Sequence, residues 1–385
     1  MKILFVSTQA IFSKTRFGGA KRLYYLAREL EERAELHVVC MDAASESPDP
    51  ASYPEEFRNI FFVPLKRAEK FLEKISFLYD FSNALKLHKP ALSAFLKGHR
   101  FDAVFMAYPG ALHFMNMGLI SWPKNVVYLE DDLLLEIMQA NARKAAFPSR
   151  IMKFARYWQA KLFYRDVMRR ISRVVCISPQ EERVVLDRWP HVKTSLLGYG
   201  IPLEEYPMLP PPLRANVLGF IGNYRHAPNA DAAYWLVETL FPAVLKRIPD
   251  AQLLLCGVGF PEDLRGRCAN HDSIRILDNV ADLSTFYGSI SVFVNALRTG
   301  RGLRTKVVEA AAYGRPIVST PLGAEGLEGF DLGLFETGED LAELLVHSGL
   351  ESAQRAVHHN REVVEREFSM NGVGSKLLTL LSPAP

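Results

Sequence analysis

Short runs of consecutive apolar residues recur along the 385-residue chain, each closed by a turn and followed by a helical pattern. They are KILFVS (2–7), ELHVVCM (35–41), FDAVFMAY (101–108), NVVYLE (125–130), RVVCIS (173–178), VLGFIG (217–222), AQLLLCG (251–257), SVFVNA (291–296) and RPIVST (315–320). Their apolar positions are continuous rather than alternating, which predicts strands buried on both faces of a parallel sheet. Amphipathic stretches such as AKRLYYLARELEER (20–33) and NADAAYWLVETLFPAVLKR (229–247) lie between them with the period of a helix. Repeated strand–helix alternation predicts a doubly wound α/β architecture. The opening MKILFVSTQAIF reads as a first strand, since no small-residue cleavage site precedes RFGGAKR. No apolar stretch has the length of a membrane span.

The rhythm breaks at 198–216, GYGIPLEEYPMLPPPLRAN, which holds five prolines and no helical period. This predicts a first Rossmann-like domain over 1–200, a linker over 201–216 and a second Rossmann-like domain over 217–365. The segment 366–385 is read as a terminal helix returning to the first domain. Two doubly wound domains facing each other leave a cleft at the carboxyl ends of their strands, where ligands bind.

Composition adds little: 49% apolar and 23% charged residues describe an ordinary globular protein, not a disordered or fibrous one. Charge adds more. The net +3 conceals 30 Lys+Arg against 21 Asp+Glu in residues 1–200, and 16 against 22 in the remainder. A basic first half suits nucleic acid, an anionic membrane or an anionic substrate, and equally a solvated helix face. The strongest concentration is 143–173, with ten Lys+Arg, the single acid Asp166 and interleaved aromatics; 66–100 is similar. Basic amphipathic helices of this kind lie on anionic membranes. No helix-turn-helix, zinc or RNA-binding signature accompanies the charge, so no nucleic-acid partner is expected. Cys40, Cys176, Cys256 and Cys268 have no metal-ligand spacing, and three of them sit in apolar runs. That pattern fits a reduced, cytoplasmic compartment, with a peripheral position at the inner face of a membrane through the basic helices.

Three loops carry candidate chemistry. In FGGAKRLYYL, Gly18 and Gly19 end a loop at the start of a helix, where free N–H groups suit an anion. In FIGNYRHAPNADA, a strand ends at Gly222 and Arg225 occupies the turn before the next helix, placed to neutralise a diphosphate or simply to face solvent. The third, ALRTGRGLRTKVVEAAAYG (296–314), has two glycines and three arginines before a helix that opens between Leu303 and Lys306. Lys306 falls in the first turn, so its charge adds to that of the helix N-terminus, and Glu309 is on the same side. The plain alternative is an exposed ion pair on a helix.

Together, KILFVS…FGGAKRLYYLARELEE, CISPQEERVVL, GYGIPLEEYP, PEDLRGRCANHDSIRILDNVADLSTFYGSISVFVNA and GRPIVSTPLGAEGLE resemble the retaining glycosyltransferases of the GT-B fold, in the large group called family four. The resemblance runs nearly the full length. It implies a nucleotide-sugar donor bound mainly by the second domain. Glu309 matches the second glutamate of the family's paired motif, which holds ribose hydroxyls, and Lys306 and Arg225 look like the basic pair on the diphosphate. Asn279 and Val280 match the segment that meets the base. Gly19 matches the first-domain glycine near the phosphates. Gly222, Gly302, Leu303, Arg304 and Thr305 complete the implied donor set. Arg301 stands where the family's first glutamate is expected, and the lysine usually found shortly after the arginine is missing after Arg225.

The implied reaction is front-face transfer with retention, without a metal or other cofactor; Lys306, Arg225 and helix N-termini stabilise the departing diphosphate. His113 matches the family's first-domain histidine near the donor sugar, or is a helix residue packed beside an apolar face. Glu130, Asp131 and Asp132 end a strand and are acceptor-side candidates, or caps of the next helix. The acceptor is a glycan or a lipid-linked one, as in polysaccharide or cell-envelope synthesis. A sugar-nucleotide epimerase of the same fold and a non-catalytic sugar-nucleotide or nucleic-acid binder remain open.

Overall fold

A computed structural model describes residues 1–8, 19–42, 57–64, 84–130, 133–210, 216–280, 282–300, 304–347 and 350–382. The chain divides into two compact units, Met1–Ile201 with Met370–Pro385, and Pro202–Ser369. Each is built on a parallel, Rossmann-like sheet, as the continuous apolar runs predict.

The first unit has seven strands: β1 (Lys2–Ser7), β2 (Glu35–Asp42), β3 (Ile60–Pro64), β4 (Ala103–Ala107), β5 (Asn125–Glu130), β6 (Arg173–Cys176) and β7 (Thr194–Leu196). Their order is β3-β2-β1-β4-β5-β6-β7, with every pairing parallel. Burial on both faces is visible in β1, where Ile3 and Phe5 join one core cluster and Leu4 and Val6 the other. The helix Pro179–Arg188 starts with a reciprocal cap: Glu181 N–H donates to Ser178 Oγ, and Ile177 N–H donates to the Glu181 carboxylate. This S-x-x-E arrangement satisfies two otherwise orphaned donors.

The terminal helix Met370–Leu381 belongs to this first unit. Met370, Val373, Leu377 and Leu381 are buried in the same cluster as Leu23, Leu26 and Leu30 of the helix Gly19–Glu31. A Cβ at Gly374 would lie 2.7 Å from Glu29 Cβ, so the small residue sets how closely the two helices pack. Arg33 donates to Ser375 Oγ at 2.9 Å, and Asn125 Nδ2 to the Leu380 carbonyl at 3.1 Å.

The second unit has six parallel strands: β8 (Val217–Asn223), β9 (Gln252–Val258), β10 (Ile274–Asp278), β11 (Val292–Asn295), β12 (Ile317–Ser319) and β13 (Gly333–Leu334), ordered β10-β9-β8-β11-β12-β13. The stretch 229–247, read as one helix, is interrupted: an α-helix Ala227–Trp235, a π segment Leu236–Leu240 and an α-helix Phe241–Arg247. Pro242 lacks an N–H and cannot sustain the regular ladder there. The proline-rich segment is no free spacer over residues 202–210. Buried Arg315 donates to the Leu209 and Pro210 carbonyls at 2.6 and 2.7 Å, and Arg361 donates to the Tyr206 carbonyl at 2.7 Å. Residues 211–215 lie outside the described residues.

Candidate active site

The geometry is densest at the carboxyl end of β8. Gly222 and Asn223 close the strand, and the helix Ala227–Trp235 begins four residues later. A Cβ at Gly222 would sit 2.9 Å from Asn229 Cγ, so glycine is what lets the Asn229 amide fold back over the strand end. There Asn229 Nδ2 donates to the Asn223 carbonyl at 2.9 Å, and Asn229 Oδ1 accepts from Lys306 Nζ at 2.7 Å. The neighbouring glycine of β9, Gly257, has φ +140°, and a Cβ on it would fall 1.8 Å from the Gly222 carbonyl oxygen.

Lys306 lies in the first turn of the helix Thr305–Ala312. Its ammonium is also 4.5 Å from the Phe220 ring centre, a cation–π distance. Lys306 is half-buried, and burial pushes its pKa down to about 7; Glu309 opposes that shift and Arg304 adds to it. Near neutral pH this ammonium is therefore poised between its two states, with one neutral amide as hydrogen-bond partner. A nearby anion favours the charged form.

Arg304 precedes the helix as its N-cap residue and is only 5% exposed. One guanidinium nitrogen donates to the Leu322 carbonyl at 3.0 Å, while buried Nε has no partner among the described residues. Of the other arginines in that loop, Arg298 is held by Asp231 at 2.7 Å and lies over the Trp235 ring, so it serves the scaffold. Arg301, Gly302 and Leu303 lie outside the described residues. Arg225 is exposed; its backbone N–H donates to Asn223 Oδ1 at 3.1 Å. Its stem passes so close to Gly259 that a Cβ there would be 2.6 Å from Arg225 Cγ.

Glu309 is half-buried one turn beyond Lys306 and accepts from the Tyr206 hydroxyl at 3.5 Å. Tyr206, Tyr313 and Tyr287 form a ring cluster, with centroids 5.2 and 4.7 Å apart, and the Tyr287 hydroxyl donates to the Lys306 carbonyl. Burial raises the Tyr287 pKa, and the Glu309 charge adds to it, so this phenol stays protonated. Asn229, Tyr206 and Tyr287 join the site through the fold and carry no sequence motif of their own. Asn229 was visible only as one polar residue at a helix start, and the tyrosines are distant in sequence.

Asn279 and Val280 follow β10. Asn279 adopts a left-handed φ of 51°, and its N–H donates to the Gly257 carbonyl at 2.8 Å. Since β8, β9 and β10 are adjacent, Asn279 is roughly 10 Å across the sheet from Gly222.

The first-unit candidates fare differently. His113, expected near a donor sugar, is buried with its ring stacked 4.4 Å from that of Phe163, and burial pushes its pKa down to about 4. Burial keeps the imidazole neutral, and its ring packs on Phe163, as the reading of a residue beside an apolar face has it. Glu130 is also buried and accepts from the Tyr128 hydroxyl at 3.3 Å, instead of capping a helix at the surface. Asp131 and Asp132 lie outside the described residues, as does most of the loop before Gly19, the residue at which its helix starts. The four cysteines are buried, and none is joined in a disulfide. Among the described residues, metal-ligating side chains gather at Glu35, His37 and His99. There the Lys2 ammonium sits 2.7 Å from Glu35 and 3.2 Å from His99 Nδ1, supplying a positive charge of the protein's own.

Residues 18–205 match the sequence model of glycosyltransferase family 4, and residues 215–348 that of the glycosyl transferases group 1. The chain belongs to the group 1 glycosyltransferases. A Klebsiella pneumoniae protein described as an uncharacterized 44.6 kDa protein in the cps region is 30% identical over 118 residues, spanning 29% of this chain and 30% of that protein. Solved structures share the fold. A sucrose-phosphate synthase from Thermosynechococcus elongatus aligns with TM-score 0.68 at 17% identity, over 98% of both chains. Anabaena HepE, solved with UDP and glucose, aligns with TM-score 0.67 at 15% identity over the whole of both chains. The two parallel-sheet units are thus those of a GT-B glycosyltransferase.

Proposed function

We propose that the protein moves a sugar from a nucleotide-diphosphate donor, held by the second unit, to a glycan or lipid-linked acceptor in polysaccharide or cell-envelope synthesis. The observation that carries the donor assignment is Lys306, a half-buried ammonium at a helix N-terminus, joined to the end of β8 through Asn229. Lys306, Arg225 and the free N–H groups of that helix meet the negative charge of a pyrophosphate, and no metal is needed for that task. Glu309 accepts from ribose hydroxyls, and the backbone at Asn279 and Val280 meets the base at a distance suited to a nucleotide. HepE, of the same fold, was solved with UDP and glucose, and the Klebsiella relative is encoded in a cps region; both favour this reading.

In the proposed step the anomeric carbon–oxygen bond to the β-phosphate breaks and its electron pair goes to the phosphate oxygen. The acceptor hydroxyl attacks the same face, and its proton passes to the departing phosphate, so configuration is retained.

The test is calorimetric titration with a panel of sugar nucleotides as a function of pH. Lys306 binds the pyrophosphate in its charged form, which is populated below about pH 7 in the free protein. Affinity should therefore fall as pH rises through 7, by up to about tenfold per pH unit until the bound-state pKa is reached. Binding near pH 8 should take up a proton, seen as a buffer-dependent heat. Affinity that stays constant from pH 6.5 to 8.5 removes Lys306 from the donor site. Conversion of the donor to an epimer without acceptor would favour the epimerase instead.

A further inference from the structure

We infer that the helix Ser149–Val167 seats the first unit on an anionic lipid bilayer, with Phe147, Ile151, Trp158 and Leu162 inserted among the headgroups. This deepens the acceptor half of the proposal above and rests on it, because a lipid-linked acceptor is met only at a bilayer.

The helix has two apolar sides. Tyr157, Ala160, Tyr164 and Val167 are buried in the core. Ile151, Trp158 and Leu162 are 64%, 53% and 53% exposed, and Phe147, just before the helix, is 80% exposed. At 3.6 residues per turn, Ile151, Trp158 and Leu162 fall within roughly 40° of arc, opposite the buried side. Large apolar residues scattered singly on a surface need no explanation, whereas an aligned stripe does. Neither burial nor the fold uses this one.

Charge selects the occupant. Arg150, Lys161 and Arg165 are exposed along the stripe, Arg143 and Lys144 are exposed just before it, and Asp166 is the only acid between 143 and 173. The Lys161 ammonium lies 4.6 Å from the Trp158 ring centre, pairing a cation with an interfacial aromatic. An apolar wedge bordered by cations complements an anionic headgroup layer above hydrocarbon. Among the described residues no helix is long and apolar enough to cross a membrane, so attachment through this helix is interfacial. The other basic stretch, 66–100, lies outside the described residues over 66–83.

The experiment is sedimentation of the full chain with vesicles of phosphatidylcholine alone or mixed equally with phosphatidylglycerol, together with tryptophan emission. Of the four tryptophans, Trp158 is the exposed one, so insertion should shift emission to the blue on mixed vesicles and not on neutral ones. Binding should weaken severalfold when salt is raised from about 0.05 to 0.5 M. Ile151→Ser with Leu162→Ser should lower partitioning at least tenfold while leaving sugar-nucleotide binding unchanged. Equal partitioning of that variant, or a wild type indifferent to phosphatidylglycerol, overturns the inference. So does a wild-type dimer that the double variant turns into a monomer, which would make a second copy the occupant, or competition by single-stranded RNA in place of lipid. None of these results touches the donor reading, which is measured in the same variant without vesicles.

Discussion

Lys306→Ala is expected to lower kcat/KM by about 10²–10³, the usual cost of removing one preorganised group from developing negative charge. The folded state should barely notice. Lys306 gives up one hydrogen bond to Asn229 and a contact with Phe220, while its half-buried ammonium is itself costly to desolvate. Near pH 8 much of that side chain is already neutral. The melting temperature should therefore move by no more than a few degrees, and calorimetry alongside turnover separates the two quantities. Lys306→Arg is not a conservative rescue, because a planar guanidinium cannot occupy the place of a point charge beside Asn229. A Lys306→Ala protein with near-normal turnover would take away the site.

Gly257→Ala should do the opposite, acting on stability first. The residue has φ +140°, a region that side chains avoid, and its Cβ would collide with the Gly222 carbonyl at 1.8 Å. The obstacle is backbone, so no rotamer relieves it. The two strands must shift, at a cost of at least about 3 kcal/mol, which for a unit of this size lowers its melting temperature by roughly 6–12 °C. Gly266→Ala supplies the control. It lies in the helix Glu262–Ala269 with open space at its Cβ, and should be neutral or stabilise by up to about 1 kcal/mol. Equal melting of both variants would mean that the β8–β9 junction tolerates far more than its geometry suggests.

The nine apolar runs in the chain correspond to nine strands, and the four strands that escaped notice share a location. β3, β7, β10 and β13 are the outer strands of the two sheets. An edge strand needs no continuous apolar run, because it is covered less completely; β3, with IFFVP, is the exception and carried the run all the same. β10 is largely half-buried or exposed, β7 has three half-buried residues, and β13 has two residues. The donor loops were legible because glycine, lysine and helix starts follow one another in sequence. The partners of Lys306 and Glu309 were not, since Asn229 and Tyr206 are 77 and 103 residues away from them and only the folded sheet brings them in. His113 and Glu130 show the reverse. Their residue types suggested chemistry, and their burial was not legible in the local sequence.

The closing helix, Met370–Leu381, supplies four side chains to a hydrophobic interior whose other members were synthesised before residue 200. The opening portion of the polypeptide therefore cannot reach its finished state until Met370–Leu381 has been made. It must wait through the making and folding of everything in between, with its helix Gly19–Glu31 partly uncovered. A stop codon just upstream of Met370 would leave the later-made unit whole and the earlier-made one incomplete, a reversal of the usual order in which truncation does its damage.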